Sequence, residues 1–217
     1  MRETGFGPFF YAMCGRFSLS VSHRPDLARL GLQIEDRFNI APQTAVLVFD
    51  EVHEPAMMLW DFSPSWAKTP MHIINARSET LREKPAFRSA KRCVLLADGW
   101  YEWQRRDGQK TPWYHHRNGE LLYFAGIYAP AQGCAIVTRP AHENIAHVHS
   151  RQPVLLEERA VVHWLAGHDL FASAITRSVE CHPVSRAVNK PSNDNASLIE
   201  PVNLKVDTPR ARDLFDS

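Results

Sequence analysis

Short apolar blocks broken by proline, glycine and asparagine turns run through most of this chain, a rhythm that predicts strands more than long helices. Met13 to Ser20 reads as a strand in which Arg16 and Ser18 alternate with apolar neighbours. Pro25 opens a short helix through Asp26 to Leu30, stopped at Gly31. Arg37 to Pro42 is extended and ends at its proline. Ala45 to Phe49 and Ala56 to Phe62 form a strand pair around the polar turn Asp50 to Pro55, and Ser63 to Trp66 is a loop carrying an aromatic. His72 to Ala76 is a short strand, Ser78 to Arg82 a helix start, and Lys84 to Lys91 a second short helix. Cys93 to Gln104 is one long β-rich segment with Asp98-Gly99 as a bulge or tight turn inside it. Pro112 to His116, Leu121 to Tyr128 and Ala135 to Thr138 continue the β pattern, with a hairpin signal at Asn118-Gly119. Ala141 to Ala146 reads as a short helix. Glu157 to Leu165 is the clearest one, with acidic residues at its positive end and Gly167 after it. The expected fold is α+β: a mainly antiparallel, barrel-like sheet core with peripheral short helices.

Composition narrows this picture. With 217 residues, 44% of them hydrophobic, the chain can bury the core of one domain. No apolar run approaches the ~20 residues of a membrane span, and residues 1–12 lack the basic start and apolar run of a signal peptide. The polar composition after Lys190 ends in a tail, so the expected organisation is an extension over 1–12, one domain over 13–202 and a tail over 203–217. Four cysteines, far apart and without a CxxC pair, argue against a disulfide framework and for a reducing cytosol. A net charge of +1 gives no global pull toward nucleic acid. The 19 Arg against 6 Lys fit local phosphate contacts, and equally a GC-rich genome.

Four clusters place polar groups inside apolar, β-rich segments, where they are costly unless paired or used. The first is Cys14-Gly15-Arg16. A cysteine that follows a methionine can become residue one and then carries an α-amine and a thiol on one skeleton. That pair condenses with an aldehyde to an imine and closes a thiazolidine ring. Otherwise Cys14 is a small buried hydrophobe. In the second cluster, Asn75 and Arg77 share a strand face; Asn75 either orients a substrate or caps a turn. In the third, Glu102 sits among Trp100, Tyr101 and Trp103, either in an apolar pocket that makes it a general acid or base or on a rim. In the fourth, His149 shuttles protons or is structural. Trp66, Trp100 and Trp103 are base-stacking or core residues. His142, His147 and His149 with Cys134 have no standard zinc spacing. A glycine-rich phosphate loop, a GxSxG elbow and a paired-carboxylate motif are all missing from the sequence.

Taken in order, Met13 to Phe17, Asn39 to Pro42, Ile74 to Thr80, Ala97 to Trp103, Ile136 to Thr138, His149 to Pro153 and His182 to Ser185 resemble the SOS-response-associated peptidase (SRAP) family, over nearly the whole domain. The resemblance implies covalent trapping of abasic sites in single-stranded DNA, as part of the DNA damage response, by a cytoplasmic monomer that is nucleoid-associated when bound to DNA. It implies no cofactor, metal or membrane partner. By the same resemblance Cys14 is the nucleophile after loss of Met13, and Asn75, Glu102 and His149 complete the catalytic set. Arg16 and Arg77 hold phosphates, Trp66 packs on bases, and Pro42, Thr138 and Arg151 are further DNA-binding positions. A weak lyase activity and a self-cleavage exposing Cys14 also follow from it. The chain departs from the family at residues 1–12, which must be absent for the amine to react, so either translation starts at Met13 or the extension is removed. Asp61 stands where relatives have Gly, Gln152 where Met is common, and Arg139 is a bulky charge beside Thr138. The alternatives are a cysteine hydrolase, with His149 as base and Asn75 as orienter, and a non-catalytic reader of single-stranded or modified DNA.

Overall fold

A computed structural model describes residues 14–22, 24–30, 34–172 and 174–203. The expected N-terminal extension, the stop at Gly31 and the tail beyond Asn203 lie outside these residues. Among the described residues thirteen strands form two sheets. The first has five strands and is antiparallel throughout, in the order β13 (Glu180–Pro183), β8 (Gln109–His116), β7 (Gly99–Arg106), β1 (Phe17–Leu19) and β2 (Arg37–Ile40). The second runs β11 (Arg151–Pro153), β10 (Gly133–Pro140), β9 (Leu122–Ala129), β6 (Lys91–Ala97), β3 (Ala45–Phe49) and β4 (Pro55–Leu59). Two further strands join it: β12 (Leu155–Leu156) pairs with β9, and β5 (Asn75–Arg77) lies parallel to β10. The short α-helices α1 (Pro25–Ala28) and α2 (Val161–Leu165) and several 3₁₀ segments lie around them. The α+β class, the antiparallel core and the peripheral helices are as expected; neither sheet closes into a continuous barrel.

The sheets face each other across aromatic side chains. Phe17 of β1 meets Trp60 at 5.1 Å and Phe124 of β9 at 6.0 Å, and Trp100 of β7 meets Phe124 at 5.9 Å, all edge to face. Trp60, Trp100 and Trp164 are fully buried. Fully burying one large apolar side chain stabilises by ~1.5–3 kcal/mol, so this seam dominates the packing.

Cys93 to Gln104 is two strands in two different sheets. The chain crosses at Asp98, which accepts from Ser20 N at 2.5 Å and from Arg24 Nη2 at 2.6 Å. Gly99 follows because a Cβ there would lie 2.4 Å from His115 O and from the Tyr114 ring. The outer face of the five-stranded sheet is covered in turn. Tyr101 and Tyr114 pack there with Val184, Val188 and Leu198 from the C-terminal segment. Both faces of β7 are therefore buried, and its apolar residues do not simply alternate.

Several expected helices are smaller than the pattern indicates. Ser78–Thr80 and Pro85–Phe87 are single 3₁₀ turns, and the Glu157–Leu165 helix begins with a 3₁₀ turn before α2. Ala141 to Ala146 is a turn, in which Ala146 N bonds His142 O at 2.9 Å. Gln152 Oε1 takes the His142 N–H at 2.7 Å and ties this turn to β11.

Candidate active site

Residues of the inner face of β7 and the loops above it meet at Glu102. Trp100, Glu102 and Gln104 project from that face, and Glu102 stands opposite Trp113 of β8. Glu102 is 2% exposed. Cys14 precedes β1, is fully buried and has φ 41°, a left-handed conformation unusual for a residue with a Cβ. Its nitrogen donates to Glu102 Oε1 at 2.6 Å. The other carboxyl oxygen, Oε2, lies 3.9 Å from His149 Nδ1. His149 is held against the Arg151 backbone, with Nδ1 3.2 Å from N and 3.3 Å from O.

Burial sets the titration of this group. It pushes the Glu102 carboxyl up to about 8, against smaller opposing effects of the Cys14 N–H and of Lys110. A carboxyl that holds its proton near neutral pH can give and take one during a reaction. Burial, with the Glu102 charge adding to it, raises the Cys14 thiol well above its usual value. Burial lowers His149, leaving it neutral at pH 7.

The second sheet carries the other polar candidates. Trp60 Nε1 donates to Ile74 O at 2.9 Å and fixes the entry to β5. On β5 Ala76 is buried, so Asn75 and Arg77 point to the other side; Asn75 is half-buried and Arg77 exposed. The parallel register sets Arg77 beside Thr138. Thr138 is fully buried, and its backbone oxygen accepts from Arg151 Nη2 at 2.8 Å. Arg151 also grips Glu79 in a two-pronged pair at 2.6 and 2.9 Å, and that pairing holds the Glu79 carboxyl down to about 2. Arg151 thus ties β10, the Ser78–Thr80 turn and the His149 turn together.

The remaining DNA-binding candidates are spread around this centre. Arg16 is half-buried, with Nη1 donating to Asn39 Oδ1 at 2.8 Å and Val188 O at 3.1 Å. Pro42 is half-buried beside Gln43, which has φ 65°. Trp66 is 61% exposed and borders a hollow with Pro85, Arg88 and Ser89. Trp100 is stacked on His115 at 4.8 Å inside the core and cannot meet a base. Trp103 donates to Asn189 Oδ1 at 2.7 Å from the outer face. His142, His147 and Cys134 do not converge: His142 bonds Asn144 at 2.7 Å, His147 packs edge-on against Trp113, and Cys134 is buried in β10. Among the described residues no three His, Cys, Asp or Glu gather as a metal site, and no helix is long and apolar enough to cross a membrane. The four cysteines are free thiols.

Reading the sequence missed Asn39, Glu79, Arg88 and Lys110. Asn39, between Phe38 and Ile40, carried the signal of a polar residue in an apolar run. It is buried and donates to Lys190 O and Asn193 O at 3.1 and 2.7 Å, which holds the C-terminal segment under Arg16.

The family model described as SOS response associated peptidase (SRAP) matches residues 13–191. The chain belongs to the SRAP family. It is 32% identical over 223 residues to the abasic site processing protein YedK of Escherichia coli, covering 88% of this chain and 100% of that protein. It is 30% identical over 198 residues to the abasic site processing protein HMCES of Gallus gallus, covering 69% of this chain and 58% of that one. Among solved structures, a Bacteroides thetaiotaomicron protein superposes with a TM-score of 0.70 at 18% identity, covering 88% of this chain and all of its own. A phage-related protein of Bordetella bronchiseptica does so with 0.65 at 27% identity, over 80% of this chain and 95% of its own.

Proposed function

We propose that this SRAP protein traps abasic sites in single-stranded DNA as a thiazolidine at Cys14, acting as a monomer in the DNA damage response. The observation that carries this reading is the 2.6 Å contact between the Cys14 nitrogen and Glu102, whose carboxyl burial pushes up to about 8. The relatives named abasic site processing proteins support the substrate, and a family match that starts at residue 13 supports a chain beginning at Cys14.

The ring-opened abasic deoxyribose presents an aldehyde at C1′. The Cys14 α-amine adds to that carbon, and the carbonyl oxygen takes a proton from Glu102. Glu102 then regains a proton from the nitrogen and returns it to the departing hydroxyl; one water leaves, the last nitrogen proton goes back to Glu102, and an imine remains. The thiol adds to the imine carbon, its proton ends on the ring nitrogen, and the ring closes with no further loss. His149, neutral and beside Glu102, assists ring opening of the sugar, while Asn75 holds the sugar oxygen or the amine. Arg16 and Arg77 take the flanking phosphates and Trp66 a neighbouring base. An imine left open permits β-elimination, which gives a weak lyase activity. Release of the residues before Cys14, by methionine removal or self-cleavage, precedes all of these steps.

A cysteine hydrolase reading needs a thiolate at Cys14, which burial and the Glu102 charge both oppose. The test is incubation of protein beginning at Cys14 with an abasic single-stranded oligonucleotide. The expected product survives denaturant, has the summed mass less one water, and resists borohydride because the imine has closed. A non-covalent complex only, or an unchanged adduct with Cys14→Ala, defeats the proposal.

A further inference from the structure

The loop that carries Trp66 leaves the sheet at Asp61 and returns at His72, and the base of this loop is built with unusual care. Phe62 and Ile73 exchange both backbone hydrogen bonds at 2.9 Å, closing the loop like a clasp. On either side of that clasp, Asp61 Oδ2 lies 2.8 Å from His72 Nδ1, and Gln43 Nε2 lies 3.0 Å from the same nitrogen. Gln43 also reaches back to Trp60 through its backbone N–H at 3.0 Å. Gln43 and His72 both have positive φ, 65° and 50°. Such conformations cost on the order of 1 kcal/mol or more for residues with a Cβ and persist only where the surroundings impose them. Asp61 has a side chain only 10% exposed, and its Oδ1 is buried with no hydrogen-bond partner.

A second brace comes from the β9–β10 turn. Gln132 accepts from Ser63 N through its backbone oxygen and from Ser65 N through its side chain, both at 2.9 Å. Gly133 must be glycine because a Cβ there would lie 2.7 Å from both Leu59 O and Asp61 O. Two independent braces thus converge on a loop whose exposed end is a tryptophan in water. An exposed indole gains nothing for the fold from being held this rigidly, so the order serves a ligand.

We infer that Gln43, Asp61 and His72 are positioning residues that pre-set the Trp66 loop for a stacked nucleobase, and so govern how tightly DNA is held and not the chemistry at Cys14. The inference rests on the reading of Trp66 as a base-contacting residue. It predicts a split between the DNA concentration at half-maximal trapping and the trapping rate at saturation. Asp61→Ala and His72→Ala raise the former about 10-fold, the order of one lost stacking contact, and leave the latter within about 2-fold, which also shows that the protein folds. Asp61→Asn still accepts from His72 and stays close to wild type. Trp66→Ala weakens binding as much as Asp61→Ala, and the double variant is no weaker than Trp66→Ala alone, because both remove one interaction. Anisotropy with an abasic-free oligonucleotide on the full chain reports the same order of affinities. Wild-type protein that neither binds nor traps DNA overturns the functional reading and this inference with it. Wild-type trapping with unchanged half-saturation in Asp61→Ala, or additive losses in the double variant, overturns this inference alone.

Discussion

Glu102 Oε1 accepts a hydrogen bond from the Cys14 nitrogen at 2.6 Å, across 88 positions of sequence. The carboxyl is buried in the wall of the inter-sheet core, and the nitrogen belongs to a residue three positions before the start of β1. With Cys14 as first residue, Glu102→Gln keeps the acceptor and removes the proton. Adduct formation should slow by about 10²–10⁴-fold, the usual worth of a positioned acid or base. DNA affinity should change little, since Glu102 is buried and leaves little surface for a DNA contact. Cys14→Ser should form a labile adduct that borohydride captures, because its hydroxyl is a poorer ring-closing nucleophile. Denaturing gels of time points with and without borohydride separate these outcomes.

Arg151 is the joint between His149 and the second sheet. Its guanidinium uses both prongs on Glu79 and a further N–H on Thr138 O, and its backbone touches the His149 ring. A lysine has no fork to replace these contacts. Arg151→Lys should therefore lower stability nearly as much as Arg151→Ala, by about 1–3 kcal/mol. For a chain of this size each kcal/mol moves Tm by about 2–4 °C. Both variants should also slow trapping, since His149 loses its support. Differential scanning fluorimetry and trapping rates check the two effects; a lysine variant with wild-type Tm contradicts the account.

How much of this could be read in the sequence depends on the range of each relationship. The strand blocks and the Asn118-Gly119 turn were legible because they are local; Asn118 and Gly119 have φ of 45° and 79°. The Asp107-Gly108 hairpin between β7 and β8 carries the same local signal, with φ of 50° and 74°. The crossing at Asp98 was not legible, because β6 and β7 are continuous in pattern and part only where each finds its own sheet. Ala141 to Ala146 has helical composition, but Gln152 ties its first residues to β11 and one turn is all that forms. Cys14, Asn75, Glu102 and His149 were named through the family resemblance. Residue patterns alone left each with a structural alternative, since nothing local says that Cys14 and Glu102 touch. Glu79 lay inside a quoted motif, yet its partner is 72 positions away.

Gly99 is the position where the two sheets part, and it has no room for a methyl group. A Cβ would meet the His115 carbonyl and the Tyr114 ring at 2.4 Å, and the carbonyl belongs to a paired strand that cannot swing aside. Gly99→Ala should destabilise by about 1–3 kcal/mol or more through overpacking. The displaced strand carries Glu102 three residues on, so trapping should fall even at temperatures where the variant remains folded. Circular dichroism melts with adduct assays well below the transition distinguish this from global unfolding.

Two buried groups pull the pH dependence of stability in opposite directions. Burial pushes Glu102 up to about 8 and drives His115 down to about 3, from ordinary values of 4.5 and 6.5. Between pH 4.5 and 8 the folded chain keeps the Glu102 proton while the unfolded chain has lost it, so this residue makes stability fall as pH rises. Between pH 3 and 6.5 the unfolded chain protonates His115 while the folded chain holds it neutral, so this residue makes stability rise with pH. The two contributions cancel from about 4.5 to 6.5, leaving a plateau there from this pair, with losses on both sides. His116 and His149, also lowered by burial, tilt the plateau upward with pH. His115→Gln should reduce the acid-side loss between pH 4.5 and 3, leaving the part that the held-down Glu79 carboxyl contributes, and expose a slope falling from 4.5 to 8. Glu102→Gln should remove the loss between pH 6.5 and 8 and expose the rising slope below 6.5. Urea midpoints of the full chain and the two variants from pH 3.5 to 9 give the curves directly. If Glu102→Gln leaves the alkaline limb in place, Glu102 is ionised in the fold, and its assignment as the proton carrier fails with it.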